Sequence, residues 1–390
     1  MKNLSKRIGL ILTICLLCVS FTACGKKDKV EEDVYKQQLE DVKEQQKDMI
    51  KDGKDTIKDA QKGTDEDKEQ DKDQGKDQGK DEDKESKGEV KQNEVFKVAT
   101  LKGPTGMGMA KLMEQVENKE SELKPEFMIM GSPEEIMGKV ISGEVQFACV
   151  PTNLASILYN KTKGEVQLAA VNTLGVLYIV ETGDTVNSIK DLKGKKIFAS
   201  GQNATPEYVL NYLLEQNKID PKQDVEVDYK LQHSELAAAV AAGDVPIALL
   251  PQPHVTTVLM KNKDARIALN LTKEWEQLES NDSKLAMGCI IVNKKFAQDN
   301  KEIVDKFLAE YKSSIEWVNA NHVEASKLIE KFNILPKAKI AEVALPNCNI
   351  VYVDSDEAKT TLEGFYKVLF KYNPKSLGGK LPDENFYYKK

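Results

Sequence analysis

Arginine is almost missing from this chain: among 390 residues, 56 of them Lys or Arg, only Arg7 and Arg266 are arginine. A site that grips a phosphate or carboxylate with several guanidinium forks is therefore excluded, and any anion must rely on lysine point charges or backbone N–H groups. This favours a neutral, zwitterionic or weakly charged organic ligand. Histidine occurs only as His233, His254 and His322, and no HExxH, GxSxG or Walker lysine pattern is present. The cysteines beyond residue 24, Cys149, Cys289 and Cys348, show no CxxC or Cys/His spacing, so neither a metal nor a cofactor is expected. A net charge of −7 argues against a nucleic-acid partner.

What is present is unevenly distributed. Lys2, Lys6 and Arg7 precede an apolar run, Ile8–Phe21, and the small residues Thr22 and Ala23, which together read as an export signal over residues 1–23. The run is shorter than the roughly 17 to 25 residues of a spanning helix. Phe21-Thr22-Ala23-Cys24 resembles a bacterial lipobox, which implies an acylated Cys24 and a protein anchored by lipid to the cell membrane on its extracytoplasmic side. Between Gly25 and Asn93 stand 17 lysines and 23 acidic residues, with DQGKDQGKDEDK as a low-complexity core. Such a stretch cannot bury a core, and residues 24–93 read as the lipidated Cys followed by a charged, disordered leash with a reach of roughly 45 Å.

The remainder repeats itself. GEVQFACVPTN, Gly143 to Asn153, returns as GDVPIALLPQP, Gly243 to Pro253, and the same register places Ala99 on Ala199, Thr105 on Thr205 and Glu135 on Glu235. Each unit alternates short apolar runs with amphipathic stretches in the order β-α-β-α-β, predicting an α/β protein of two similar lobes, each a mostly parallel sheet wrapped by helices. Gly- or Pro-containing loops follow the strands, at the edge where such sheets bind ligands.

Two further apolar runs, NTLGVLYIVE (172–181) and KLAMGCIIVN (284–293), read as strands crossing between the lobes, with bending expected at Gly175 and Gly288. Lobe 1 is expected over 94–180 and 290–390, and lobe 2 over 181–289. Ile303, Phe307, Tyr311, Ile315 and Val318 predict a long helix over 301–321, and a terminal helix near Asp356–Tyr372 is expected to pack back on lobe 1. Cys149, Cys289 and Cys348 read as buried thiols.

Several polar residues follow the strands. Thr105, Gly106 and Met107 either bring backbone N–H groups to a ligand or form a packed helix start. Ser132 and Thr205 both read as helix caps followed by Pro. Tyr208 would stack on a flat solute or pack internally. Thr152, Asn153, Asn203, Gln252 and His254 complete the candidate cleft lining.

GSPEEIMGKVISGEVQFACVPTN, DLKGKKIFASGQNATPEYVLNYLLEQNKI and LAAAVAAGDVPIALLPQP resemble, in that order, segments of the substrate-binding proteins of ABC importers, specifically the nitrate/sulfonate/taurine and thiamine-precursor group. The resemblance covers roughly Val95 to Asn373. It implies a type II periplasmic-binding-protein fold and a monomer that captures a small solute and delivers it to a membrane permease, without enzymatic activity. It also brings Ser132 near the ligand. Pro251-Gln252-Pro253-His254 departs from the aromatic–acidic–proline pattern common in the group. Two other classes fit the same fold: a ligand-binding surface sensor, and enzymes resembling pyrimidine-precursor synthases or menaquinone-route dehydratases.

Overall fold

The computed structural model describes residues 94–278 and 283–389; the export signal, Cys24 and the charged leash lie outside the described residues. The chain begins with β1 (Val95–Leu101), α1 (Pro104–Met107), α2 (Ala110–Glu117), β2 (Lys124–Met130), α3 (Pro133–Ile141), β3 (Phe147–Pro151), α4 (Thr152–Lys161) and β4 (Val166–Leu174). It continues with β5 (Leu177–Thr182), β6 (Lys196–Ala199), α5 (Thr205–Gln216), β7 (Glu226–Asp228), α6 (His233–Ala242), β8 (Ile247–Pro251), α7 (His254–Lys261), β9 (Ala265–Asn270) and α8 (Leu271–Glu276). The return comprises β10 (Ala286–Asn293), α9 (Lys294–Asp299), α10 (Lys301–Ala320), α11 (His322–Lys331), α12 (Ala338–Ala344), β11 (Ile350–Asp354) and α13 (Ser355–Tyr372).

Two sheets result, ordered β11-β4-β10-β3-β1-β2 and β7-β6-β8-β5-β9. In the first, β1 runs parallel to β2 and β3, whereas β10 is antiparallel to β3 and β4. In the second, β6 is parallel to β7 and β8, and β5 is antiparallel to β8 and β9. The sheets are thus mixed: four strands of each run one way, as the sequence leads one to expect, and β10 and β11 in the first and β5 in the second run against them. The reason is topological: the chain enters each lobe at the edge where the other strands end, so the entering strand, β5 or β10, must run against its neighbours.

The repeat in the sequence is a repeat in space. Val98 and Ala99 pair with Phe147 and Ala148, and Phe198 and Ala199 pair with Ala248 and Leu249, also in parallel but one residue further along the partner strand. In both sheets the reversed strand is inserted between the third and fourth strands of the repeat.

The apolar run 172–181 is not one strand. Leu174 N donates to Asn349 O, and Gln252 N donates to Val176 O, so the ladder changes partner from one lobe to the other at Gly175–Val176. The lobe boundary expected at 180/181 therefore falls inside β5, and the one expected at 289/290 falls inside β10.

Helix α10 covers lobe 1 with the face its periodicity predicts: Ile303, Phe307, Tyr311, Ile315 and Val318 are all buried, and Phe307 meets Phe147 with ring centroids 4.3 Å apart. A second apolar core is shared between lobes, joining Phe365 and Leu369 of α13 to Leu213 of α5 and to Trp275. Each large side chain buried in these cores contributes about 1.5–3 kcal/mol. Helix α13 thus rests on both lobes, not on lobe 1 alone.

Candidate functional site

The two sheets meet at their strand ends. Strands β1, β2, β3 and β4 finish at Leu101, Met130, Pro151 and Leu174, and β6, β7, β8 and β9 at Ala199, Asp228, Pro251 and Asn270. Leu177, which opens β5, pairs with Pro251, while Ala286 and Gly288 of β10 pair with Leu174 and Pro151. The crossings therefore join one carboxyl edge to the other. The helices that follow these strands start there, with unpaired N–H donors and a partial positive charge at each start.

On lobe 2 this edge carries a compact polar group. Ser200 follows β6, His233 opens α6 and His254 opens α7. Ser200 Oγ hydrogen-bonds His233 Nδ1, and the rings of His233 and His254 lie 5.6 Å apart between centroids. Both imidazoles are half-buried. Burial pushes the His233 pKa down, and burial together with the neighbouring His233 lowers that of His254 to about 4. Both rings are accordingly neutral at pH 7. Beside them, the Gln252 carbonyl oxygen accepts from Thr256 N at 3.2 Å and Thr256 Oγ1 at 2.8 Å. Its buried Nε2 has no hydrogen-bond partner among the described residues.

Ser200 and His233 are the residue types of a nucleophile and its base. However, Ser200 is buried, and the neighbour of His233 is a second imidazole, not the carboxylate that orients a catalytic histidine. Among the described residues no group of His, Cys, Asp and Glu could hold a metal ion.

The candidates from the sequence separate by burial. Thr105, Ser132, Asn153, Thr205 and His254 are half-buried, and Asn203 is exposed with φ of 57°. Ser132 caps α3 by accepting from Glu135 N at 3.4 Å, while Glu135 Oε2 accepts from Gly131 N at 3.1 Å. Thr205 is not a cap: it is the first residue of α5, and the cap position is Ala204. Glu207 instead closes this turn, accepting from Asn203 N at 2.5 Å.

Gly106, Met107, Thr152, Tyr208 and Gln252 are buried. Met107 belongs to the lobe 1 core. Thr152 donates to Ala286 O at 2.7 Å, and its carbonyl accepts from Tyr366 OH at 2.7 Å. The Tyr208 hydroxyl accepts from Asn373 Nδ2 at 2.9 Å, so its ring packs between lobes instead of facing a solute. Sequence reasoning passed over Ser200 and His233, although the repeat held the signal: His233 stands where Pro133 opens α3.

Gly175 and Gly288 are places of close approach. A side chain at Gly175 would run into Thr272 Oγ1 and Leu285. Gly288 lies within β10, where a Cβ would sit 2.6 Å from Asn172 Oδ1. Asn172 holds this corner by donating to Tyr311 OH at 3.0 Å and to Thr105 O at 3.4 Å.

Arg266 plays no part in the edge. Its guanidinium binds Glu181 Oε2 at 2.8 Å, Val186 O at 2.7 Å, Gly183 O at 2.9 Å and Asp184 at 3.0 Å. Burial pushes the Glu181 carboxyl up, but hydrogen bonds from Thr185 and Val186 and the Arg266 charge together hold it below its usual range.

Residues 107–334, more than half of the chain, match the family described as "ABC transporter, phosphonate, periplasmic substrate-binding protein". No curated protein matches. Among solved structures, an ABC transporter protein from Parabacteroides distasonis superposes with a TM-score of 0.63 at 24% identity, covering 76% of this chain and 99% of that one. The periplasmic aliphatic sulphonate binding protein of Escherichia coli gives 0.59 at 17% identity, over 76% of this chain and 92% of its own. The alkanesulfonate-binding protein of Xanthomonas axonopodis pv. citri, bound to MOPS, gives 0.51 at 15% identity, over 73% and 94%.

Proposed function

Because the chain belongs to the family of periplasmic phosphonate substrate-binding proteins of ABC transporters, we propose that it captures a small organic solute bearing a phosphonate- or sulfonate-like group between its two lobes. It releases this solute, unchanged, to a membrane permease. The observation that carries the reading is the joining of the two carboxyl strand edges through Gly175–Val176, which brings the helix starts of both lobes to one place. Helix starts suit oxyanions without any fixed cation, and Arg266 is engaged elsewhere.

Thr105, Ser132 and Asn153 would present the lobe 1 side, and Asn203, Thr205, His233 and His254 the lobe 2 side. Contacts to both lobes favour a closed arrangement that the permease reads. The lipid on Cys24 would tether this monomer to the membrane, with residues 25–93 as the spacer. Replacing Cys24 by Ala should then release the protein from the membrane fraction.

The test is thermal unfolding of the intact protein against phosphonates, sulfonates, nitrate, bicarbonate, amino acids and pyrimidines. A ligand at 100 times its dissociation constant adds about 2.7 kcal/mol, a shift of roughly 4 to 10 °C. A selective rise with one oxyanion class, together with uptake that fails when a permease is deleted, supports the reading. No rise with any solute and no permease-dependent uptake would overturn it.

A further inference from the structure

We infer that His233 and His254, with Ser200, form the oxyanion subsite of lobe 2, and that a proton enters this pair as the anion binds. The inference rests on the reading of an oxyanion-bearing solute given above and adds to it the residues and the charge balance.

Three observations carry it. The two rings stand at the first positions of neighbouring helices, 5.6 Å apart, so both open toward the same carboxyl edge. His233 Nδ1 is engaged by Ser200, which leaves Nε2 as the ring edge for a ligand. Gln252, two residues before α7, holds a buried Nε2 with no partner among the described residues, a donor suited to a ligand oxygen.

Among the described residues no other charge serves the pair. Strand β8 carries no ionisable side chain, and β9 offers only Arg266, bound to Glu181 and Asp184. On α12, Lys339 pairs with Glu342 at 3.1 Å. On α6, Glu235 accepts from Gln232 N at 3.0 Å, and Glu207 of α5 is tied to Asn203 N. Lys261 stands in the last turn of α7, at the opposite end from His254. At the end of β7, Asp228 is held by Lys230 at 3.0 Å and Lys196 at 3.6 Å.

Burial keeps both free imidazoles neutral. An anion placed against them favours the charged form, so one ring takes a proton from solvent and the complex becomes an imidazolium–oxyanion pair. By linkage, affinity rises as pH falls from the bound-state pKa toward the free-state pKa, and it is flat outside that window. A site that binds through neutral donors alone would show no such slope.

The experiment is calorimetric titration of the intact protein with ethanesulfonate, which stays a monoanion throughout, and with methylphosphonate as a second probe. Measurements span about pH 5 to 8 in bis-Tris and in imidazole buffers, neither of which carries an oxyanion. The expected result is an ethanesulfonate affinity that falls by up to about tenfold per pH unit, with buffer-dependent heats reporting uptake of up to one proton. His233→Gln and His254→Gln should each reduce that uptake and flatten the slope. Ethanesulfonate binding with pH-independent affinity and equal heats in both buffers would overturn the proton step in the unaltered protein, whatever the variants do. If neither probe binds while an uncharged solute from the thermal panel does, the oxyanion reading fails and this inference with it.

Discussion

The ring of Tyr208, on α5 of lobe 2, lies parallel to that of Tyr372, at the end of α13, with 4° between planes and 6.1 Å between centroids. Asn373 donates to the Tyr208 hydroxyl at 2.9 Å, and Lys371 pairs with Glu215 at 2.7 Å. Deeper in the same seam, Trp275 lies 4.9 Å from Tyr212 and 5.8 Å from Phe365. The lobes are therefore joined by a packed seam as well as by two crossings.

Removing the Tyr208 ring opens a cavity in that seam. Tyr208→Ala should destabilise the protein by about 3–5 kcal/mol, while Tyr208→Phe, which removes only the hydroxyl partner of Asn373, should cost about 1 kcal/mol. Guanidinium unfolding midpoints measure both. Equal effects from the two variants would show that the ring contributes nothing beyond its hydrogen bond.

Arg266 and Glu181 give a pH dependence of defined sign. The folded-state pKa of Glu181 is depressed, so its contribution is present above the ordinary Glu pKa of about 4.3 and is lost as pH falls through the folded value. Arg266→Ala should weaken the fold by about 1–3 kcal/mol at neutral pH and by less in acid. Melting temperatures from pH 7 down to pH 3 test this, and a deficit that grows in acid would refute it.

Gly288 lies close against Asn172 and Thr173 of β4. Gly288→Ala would push a methyl group into Asn172 Oδ1 and Thr173 Oγ1, disturbing the Asn172 bonds to Tyr311 and Thr105. A loss of about 1–3 kcal/mol is expected. If glycine instead served only to bend the chain, the alanine variant would keep full stability and change only solute affinity, a split that paired unfolding and binding curves resolve.

The three cysteines of the folded part are buried, and burial pushes Cys149 up to about 11, Cys348 up to about 12 and Cys289 well above its usual value. Alkylation at pH 8 should leave the peptides carrying them unmodified until denaturant is added. Labelling of any one in the native protein, read by peptide mass, would contradict its placement.

The two-lobed plan was legible because its signal is repeated: Gly143–Pro151 and Gly243–Pro251 announce the same strand and the same loop. Long helices were legible too, since Ile303, Phe307 and Tyr311 keep a helical period over several turns. The break at Gly175 was not, because an apolar run reads alike whether its hydrogen-bond partners belong to one sheet or two. The burial of Met107, Thr152 and Tyr208 was equally hidden: each follows a strand end, but tertiary neighbours far along the chain decide whether its side chain meets solvent. Ser200 and His233 escaped notice because a lone serine and a lone histidine, 33 positions apart, carry no local pattern.

The placement of lobe 2 between β4 and β10 of lobe 1 makes assembly unequal in time. Lobe 2 draws all of its sheet from one continuous stretch, β5 through β9, so it can complete itself as soon as that stretch is free. Lobe 1 cannot. Its β3 and β4 are not paired with each other and are joined in the sheet through β10, which arrives after the whole of lobe 2. Until β10 and β11 arrive, one edge of β3 and both edges of β4 stand open, and closing them requires contacts distant in sequence, the slow class of folding event. The earlier-made half of the molecule is thus the later to finish, and its exposed strands are where a nascent chain most needs protection from aggregation.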